Sequence, residues 1–229
     1  MKKILIISGG WQGHYPDEIS EQMAKLLSKH DVVIKKDLAV LDDKKYLQEQ
    51  NLLIMNWTRG ELNSERFETI QEAVSQGMGL AGVHGGLTSA FQANKNWQFL
   101  TGGLFVAHPG GNQTNYKVHI DQPNHPVMKG TQDFSLVSEQ YYCLVDPAIN
   151  ILASTTFAQA NHPNAVNGRI TLPVAWTKRW GAGRIFYHSL GHDPKVFSLP
   201  QVKRWTKQGF EWAMSNQEEE GISCKKQND

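Results

Sequence analysis

Four short apolar runs alternate with stretches of helical periodicity, and they constrain this chain more than any other feature. They are Ile4-Leu5-Ile6-Ile7, Val32-Val33-Ile34, Leu52-Leu53-Ile54-Met55 and Leu80-Ala81-Gly82-Val83. Continuous apolar runs of this length suit central strands covered on both faces. After the first run, Pro16 with Asp17 and Glu18 forms a helix start that complements the macrodipole. Ile19, Met23, Leu26 and Leu27 then recur at helical spacing and predict an amphipathic helix over 16–29. Phe67, Ile70 and Val74 stripe a further helix, with Gly77 placed as its C-terminal cap. Such alternation predicts βαβ units, and so an α/β, doubly wound, mostly parallel sheet with helices on both faces. Ligands of these sheets bind beyond the carboxyl ends of the strands. The loops at 9–15, 56–60 and 84–87 are therefore expected along one edge.

The fourth run ends abruptly. A polar His84 follows Val83 at once, and Gly85 and Gly86 follow it, as in a nucleophile elbow. The two glycines permit backbone angles and close approaches that a β-carbon would block. Their amides are placed to face a ligand at a helix start, where negative charge is favoured. Ser or Cys normally occupies the tip. With His84 there, the geometry of an acyl-transfer site is suggested while its usual chemistry is not.

Beyond the elbow, a helix is predicted over 88–100 with a break near Asn94, followed by the run Phe105-Val106-Ala107 that stops at His108. Residues 116–121 alternate as a half-exposed strand does, with Val118 and Ile120 on one face. Residues 149–153 predict a strand, and 161–168 an exposed loop. Pro173-Val174-Ala175-Trp176 and Arg184-Ile185-Phe186-Tyr187-His188 flank a glycine-containing turn and predict a β-hairpin. Val202, Trp205 and Trp212 stripe a last helix. No repeat or linker interrupts the chain, so one domain is expected over 1–216, with a polar tail over 217–229. A net charge of +1 gives no footprint for nucleic acid or an anionic membrane. Two cysteines, Cys143 and Cys224, make neither a disulfide framework nor a metal motif. The run at Ile4 to Ile7 is too short for a signal peptide, and no stretch reaches transmembrane length. The expectation is a cytoplasmic protein.

Taken together, several motifs carry a resemblance. They are Gly82-Val83-His84-Gly85-Gly86, Gly102-Gly103-Leu104-Phe105 with His108-Pro109, His125-Pro126-Val127, Glu139-Gln140-Tyr141, Pro173-Val174-Ala175-Trp176, and Gly181-Ala182-Gly183-Arg184-Ile185-Phe186 with Gly191-His192-Asp193. In this order and spacing the chain resembles the ThuA-like (trehalose-utilisation) family. The resemblance implies a flavodoxin-like fold of the class I glutamine amidotransferase-like superfamily. It also implies a role in metabolism of trehalose and related sugars through keto-sugar intermediates, with a metal in some members. The wider superfamily places Cys at the elbow. His84 in that place removes glutaminase chemistry.

The candidate residues follow from the edge and from the resemblance. A lone histidine is usually a hydrogen-bonded structural residue. At an elbow tip, His84 reads instead as a general acid/base or a metal ligand. His192 with Asp193 is read as a catalytic pair, the alternative for Asp193 being a helix cap before Pro194. Glu139 lies among aromatics, a setting that raises a carboxyl pKa and suits a general acid. Catalytic roles are thus assigned to His84, Glu139, His192 and Asp193. Substrate contacts are assigned to Gly10, Trp11, His14, Gly85, Gly86, His108 and Tyr141. If a metal is bound, a divalent ion such as zinc would take His14, His84, His108 and His192, which no local spacing links. The ligand expected is a small carbohydrate, either transformed or merely bound, with no nucleic acid and no membrane. Whether the chain forms a homo-oligomer stays open, because apolar faces that cover a sheet and those that pair subunits look alike.

Overall fold

A computed structural model describes residues 1–157 and 168–215. The predicted tail, and all of the predicted loop except Gly168, lie outside the described residues. In chain order the elements are β1 (Lys3–Gly10), α1 (Pro16–Leu26), β2 (Asp31–Lys35), α2 (Lys44–Gln48), β3 (Leu52–Thr58), α3 (Ser64–Ser75) and β4 (Gly79–Val83). They continue with α4 (Gly85–Thr88), α5 (Lys95–Thr101), β5 (Gly103–Ala107), β6 (Thr114–Ile120), β7 (Phe134–Ser138), β8 (Tyr142–Val145) and β9 (Asn150–Phe157). The last are β10 (Ile170–Trp180), β11 (Gly183–His188), α6 (Pro194–Phe197) and α7 (Pro200–Ala213).

Nine strands form one sheet in the order β2-β1-β3-β4-β11-β10-β9-β6-β7, and β5 pairs with β8 in a separate ribbon. The first five strands in that order are parallel. Their sequence of positions is the flavodoxin-like 2-1-3-4-5, with β11 taking the fifth place. From β11 outward the pairing is antiparallel. The sheet is therefore mixed, a parallel half carrying the edge predicted to bind ligands and an antiparallel half extending it.

Alternation within β1 shows why both faces must be covered. Ile4 and Ile6 join one buried layer with Ile19 and Met23 of α1 and Trp205 and Phe210 of α7. Leu5 and Ile7 join the opposite layer with Phe67, Ile70 and Val74 of α3 and with Trp97 of α5. Successive strand residues point to opposite faces, so a run of four apolar residues feeds both layers equally. The predicted hairpin is present, with Trp180 opposite Gly183. Pro173 lies within β10, where the register with β9 shifts. A bulge is where a strand tolerates a residue that cannot donate to the ladder.

Two expectations are corrected, and two strands went unpredicted. The helix predicted over 88–100 is two short pieces, because the chain turns at Phe91 with φ +50 and restarts at Asn94, whose side chain accepts from the Trp97 N–H. The loop predicted at 56–60 begins as strand, since β3 stays paired with β1 out to Thr58. Strands β7 and β8, with Glu139 between them, were hidden by their shortness and mixed polarity.

Two packing consequences can be measured. A methyl group on Gly209 of α7 would overlap the fully buried Phe186 ring. Gly209→Ala should lower unfolding stability by about 1–3 kcal/mol, overriding its gain in helix propensity. His188 is fully buried, with Nε2 against Thr206 Oγ1 at 2.9 Å, and burial depresses its pKa to about 3. Below about pH 6.5 the unfolded chain binds a proton there that the folded chain refuses. Stability should therefore fall as pH drops from 6.5 toward 3, by roughly 2–3 kcal/mol at pH 4.5 from this residue. Urea titrations of wild type and His188→Gln at pH 7 and 4.5 check this; the variant should show the smaller loss.

Candidate active site

The elbow sits where the sequence places it. His84 has φ +50 and ψ −116 between β4 and α4, a conformation that costs a non-glycine residue on the order of 1–3 kcal/mol. The end of β11 holds it there. The His84 N–H donates to the His188 carbonyl at 2.8 Å, the Tyr187 hydroxyl donates to the His84 carbonyl at 2.6 Å, and the His84 Nδ1 lies 2.8 Å from the Ser189 carbonyl. A carbonyl only accepts, so Nδ1 carries the proton and the Nε2 lone pair faces inward.

Around that lone pair the structure gathers four side chains from three other segments. Tyr141 places its hydroxyl 2.9 Å from His84 Nε2, and Glu139 places Oε2 3.2 Å from it. His14, in the loop after β1, points Nδ1 at Thr58 Oγ1 2.9 Å away, leaving its Nε2 for the centre. His192, in the loop after β11, brings Nδ1 to 3.2 Å from Glu139 Oε1. The ring centroids of His14, His84 and His192 lie 4.5 to 5.5 Å apart. One donor atom from each of His14, His84, Glu139 and His192 falls within 4.8 Å of all the others.

Charge in this cluster is divided unevenly. Burial depresses the His14 pKa to about 3, reinforced by the neighbouring His84, so its imidazole is neutral. Burial likewise lowers His84 against the pull of Glu139. His192 is less buried and is raised by its contact with Glu139. Burial alone would raise the Glu139 carboxyl, but its contact with His192 holds it well below the usual range. The aromatic setting by itself predicts a raised carboxyl, and the neighbouring His192 reverses that direction. Glu139 is a buried carboxylate, suited to bind a cation.

The other predicted residues fall into three groups. His108 is exposed on the rim, 3.7 Å from Glu139 Oε1, and stands outside the four-donor set that Glu139 completes. The Asp193 carboxylate accepts from the Lys195 and Val196 N–H groups at the start of α6, as the capping alternative has it. The glycines serve close packing. Gly85 is buried, and a side chain there would meet Thr58 Oγ1 and His14 Nδ1; one at Gly86 would strike the Met55 carbonyl, and one at Gly10 the Thr58 backbone. These glycines let neighbouring atoms approach and do not line the cavity. Trp11, His14, His108 and Tyr141 do line it, with Thr58, Arg59, Ser89, Gln92, Phe105 and Glu139, around a space of about 110 Å³. Thr58, Ser189 and Tyr187 were missed in the sequence, because nothing local marks a hydroxyl or carbonyl as the partner of a distant imidazole.

The donor set tests well against a divalent cation. Glu139 Oε2 and His192 Nδ1 are buried without a hydrogen-bond partner among the described residues, although buried polar atoms are normally paired. Three imidazoles and a carboxylate, two of the imidazoles fixed through their other nitrogen, make a donor set of the kind zinc or a similar ion accepts.

Fold and site together define a flavodoxin-like α/β protein with a three-histidine, one-glutamate centre at the carboxyl edge of its parallel strands. Residues 3–213 match the model of the family ThuA, described as trehalose utilisation, and the chain belongs to that family. A ThuA-like protein from Bacteroides uniformis is 21% identical over 95% of this chain and 93% of its own, with a TM-score of 0.73. A ThuA-like protein from Parabacteroides merdae is 20% identical over 93% and 90%, with a TM-score of 0.72. A cytoplasmic protein from Salmonella typhimurium is 11% identical over 93% and 99%, with a TM-score of 0.61. At these identities the structures share the fold. No curated protein is significantly similar to the chain. Among the described residues, no helix is long and apolar enough to cross a membrane.

The charge division predicts how a cation would bind. His14 and His84 are already neutral and Glu139 already ionised, so near pH 6 to 7 only the raised His192 has a proton to lose. Zinc binding should release about one proton in that range, and affinity should climb about tenfold per pH unit below the His192 pKa. Calorimetric titration in buffers of different ionisation enthalpy reads the number; release of three protons would contradict the assignment.

Proposed function

We propose that this protein is an enzyme acting on a keto-disaccharide or related sugar at the His84–Glu139–His192 cluster, by proton transfer or with the help of a divalent metal held there. The observation that carries this reading is the convergence of three imidazoles and a buried carboxylate beside a small cavity that His14 and Glu139 line. A structural role would not require a strained backbone at residue 84 or donors left unpaired. When bound, a divalent ion at His14, His84, Glu139 and His192 supplies a Lewis acid for a sugar oxygen. The chain's own groups do the rest. Glu139, ionised and nearly enclosed, holds His192 in its protonated form. Without the ion, His192, with its raised pKa and partial exposure, takes up or returns a proton at neutral pH. Tyr141, whose pKa burial pushes well above its ordinary value, stays protonated and donates a hydrogen bond to oxygen as charge develops. Cytoplasmic location fits the free, buried Cys143.

A second reading, a carbohydrate- or metal-binding module without turnover, is favoured by the absence of a nucleophile at the elbow tip. Incubating the purified protein with keto-trehalose and following products by NMR separates the two. Under the enzymatic reading, wild type turns the sugar over, and Glu139→Gln lowers kcat by about 10²-fold or more with its melting temperature nearly kept. Undiminished turnover in Glu139→Gln would remove Glu139 from the mechanism. Binding of the sugar by wild type without any product would leave the binding module.

A further inference from the structure

The cavity over the cluster, about 110 Å³, is smaller than the roughly 300–1,000 Å³ of most small-molecule pockets. A disaccharide can insert only its reacting end, and most of it must lie across the rim. One side of that rim is His108 stacked near Phe105. The other is Arg59, exposed, with its guanidinium 4.8 Å from the centre of the Trp11 ring.

Arg59 is unusual in three respects. Its φ is +67, and the non-glycine residues in the left-handed region, Tyr15, Arg59, His84 and Phe91, all belong to segments bordering the site. Strain of this kind persists only where surroundings enforce it, and it concentrates at functional sites. Here the surroundings are backbone bonds on both sides, the Arg59 N–H donating to the Ser89 carbonyl at 2.9 Å and the Phe91 N–H to the Arg59 carbonyl at 3.2 Å. Finally, among the described residues its guanidinium has no ion pair; the face of Trp11 is its partner. Trp11 is itself seated, because Gly13 has no side chain where the indole lies. The ring also meets His14 edge-on, centroids 4.7 Å apart. An arginine held on an aromatic platform at a cavity mouth, with its planar fork unspent, is pre-organised for a ligand.

We infer that Arg59, positioned by Trp11, is a specificity-determining residue that binds two adjacent oxygens of the substrate portion outside the cavity. This rests on the sugar reading above and adds to it the group that selects the sugar. The two oxygens are a vicinal hydroxyl pair or a carboxylate, which a planar fork engages in the same bidentate manner. Arg59 touches none of the four central donors in a hydrogen bond or ion pair, so its loss should leave the metal centre intact.

The test uses the full-length, zinc-loaded protein and two probes, trehalose for the hydroxyl pair and glucuronate for the carboxylate, with binding measured by calorimetry. Asn tolerates the left-handed region, so Arg59→Asn keeps the backbone, while Arg59→Lys keeps the charge and loses the fork. Wild type should bind at least one probe, and Arg59→Asn should weaken that binding about 10- to 100-fold, the range for a charge-assisted hydrogen bond to be lost. Arg59→Lys should recover only part of it, and Trp11→Ala should lose part of it by releasing the guanidinium. Zinc stoichiometry and melting temperature should stay as in wild type. Equal binding by Arg59→Asn and wild type would overturn the inference and leave the sugar reading standing, as would loss of zinc in Arg59→Asn. Wild type binding neither probe would overturn the sugar reading, and this inference with it.

Discussion

The site depends on the clamp that the end of β11 places on residue 84. A strained backbone, a fixed tautomer and an inward lone pair all come from three groups in a row: the Tyr187 hydroxyl, the His188 carbonyl and the Ser189 carbonyl. Each buried bond contributes about 1 kcal/mol net, so together they offset the conformational cost of the elbow. The clamp exists because β11 lies parallel beside β4, with Tyr187 opposite Gly82 and His188 opposite Val83. The described residues between these strands form α4, α5, the β5–β8 ribbon and the antiparallel half of the sheet.

That stretch also delivers the carboxylate. Glu139 lies between β7 and β8, its carbonyl held by the Tyr116 hydroxyl at 3.0 Å and the next residue tied down by Gln140 Nε2 on Thr155 Oγ1 at 2.9 Å. An ionised carboxylate is costly to bury unless it is paired. Here the opposite charge comes from His192, 3.2 Å away, and the burial that makes Glu139 expensive also keeps His14 neutral. The parallel half of the sheet therefore supplies the imidazoles, and the antiparallel half supplies the charge that organises them.

Close approach is the other requirement. The elbow can lie against β3 and His14 only because Gly85 and Gly86 present no side chain to Thr58, His14 and Met55. Glycines that look in the sequence like an anion cradle thus act as clearances. The distinction matters chemically. A cradle would stabilise an oxyanion directly, whereas clearances only let neighbouring side chains close in.

The chain's own order of residues determined the parallel core and the edge on which function would fall. Ile4 to Ile7, Leu52 to Met55 and Leu80 to Val83 are local signals that need no partner to be read, and the turn at His84 to Gly86 follows one of them directly. Hydrophobic periodicity and turn chemistry are properties of neighbours in sequence. Tertiary structure alone decided that Glu139, and not His108, completes the set around His84, and that Asp193 is spent on a helix cap. It alone set the Glu139 carboxyl below its ordinary pKa rather than above it. Those outcomes depend on distances of a few ångströms between segments far apart in the chain, where burial and an adjacent imidazole push the same proton in opposite directions.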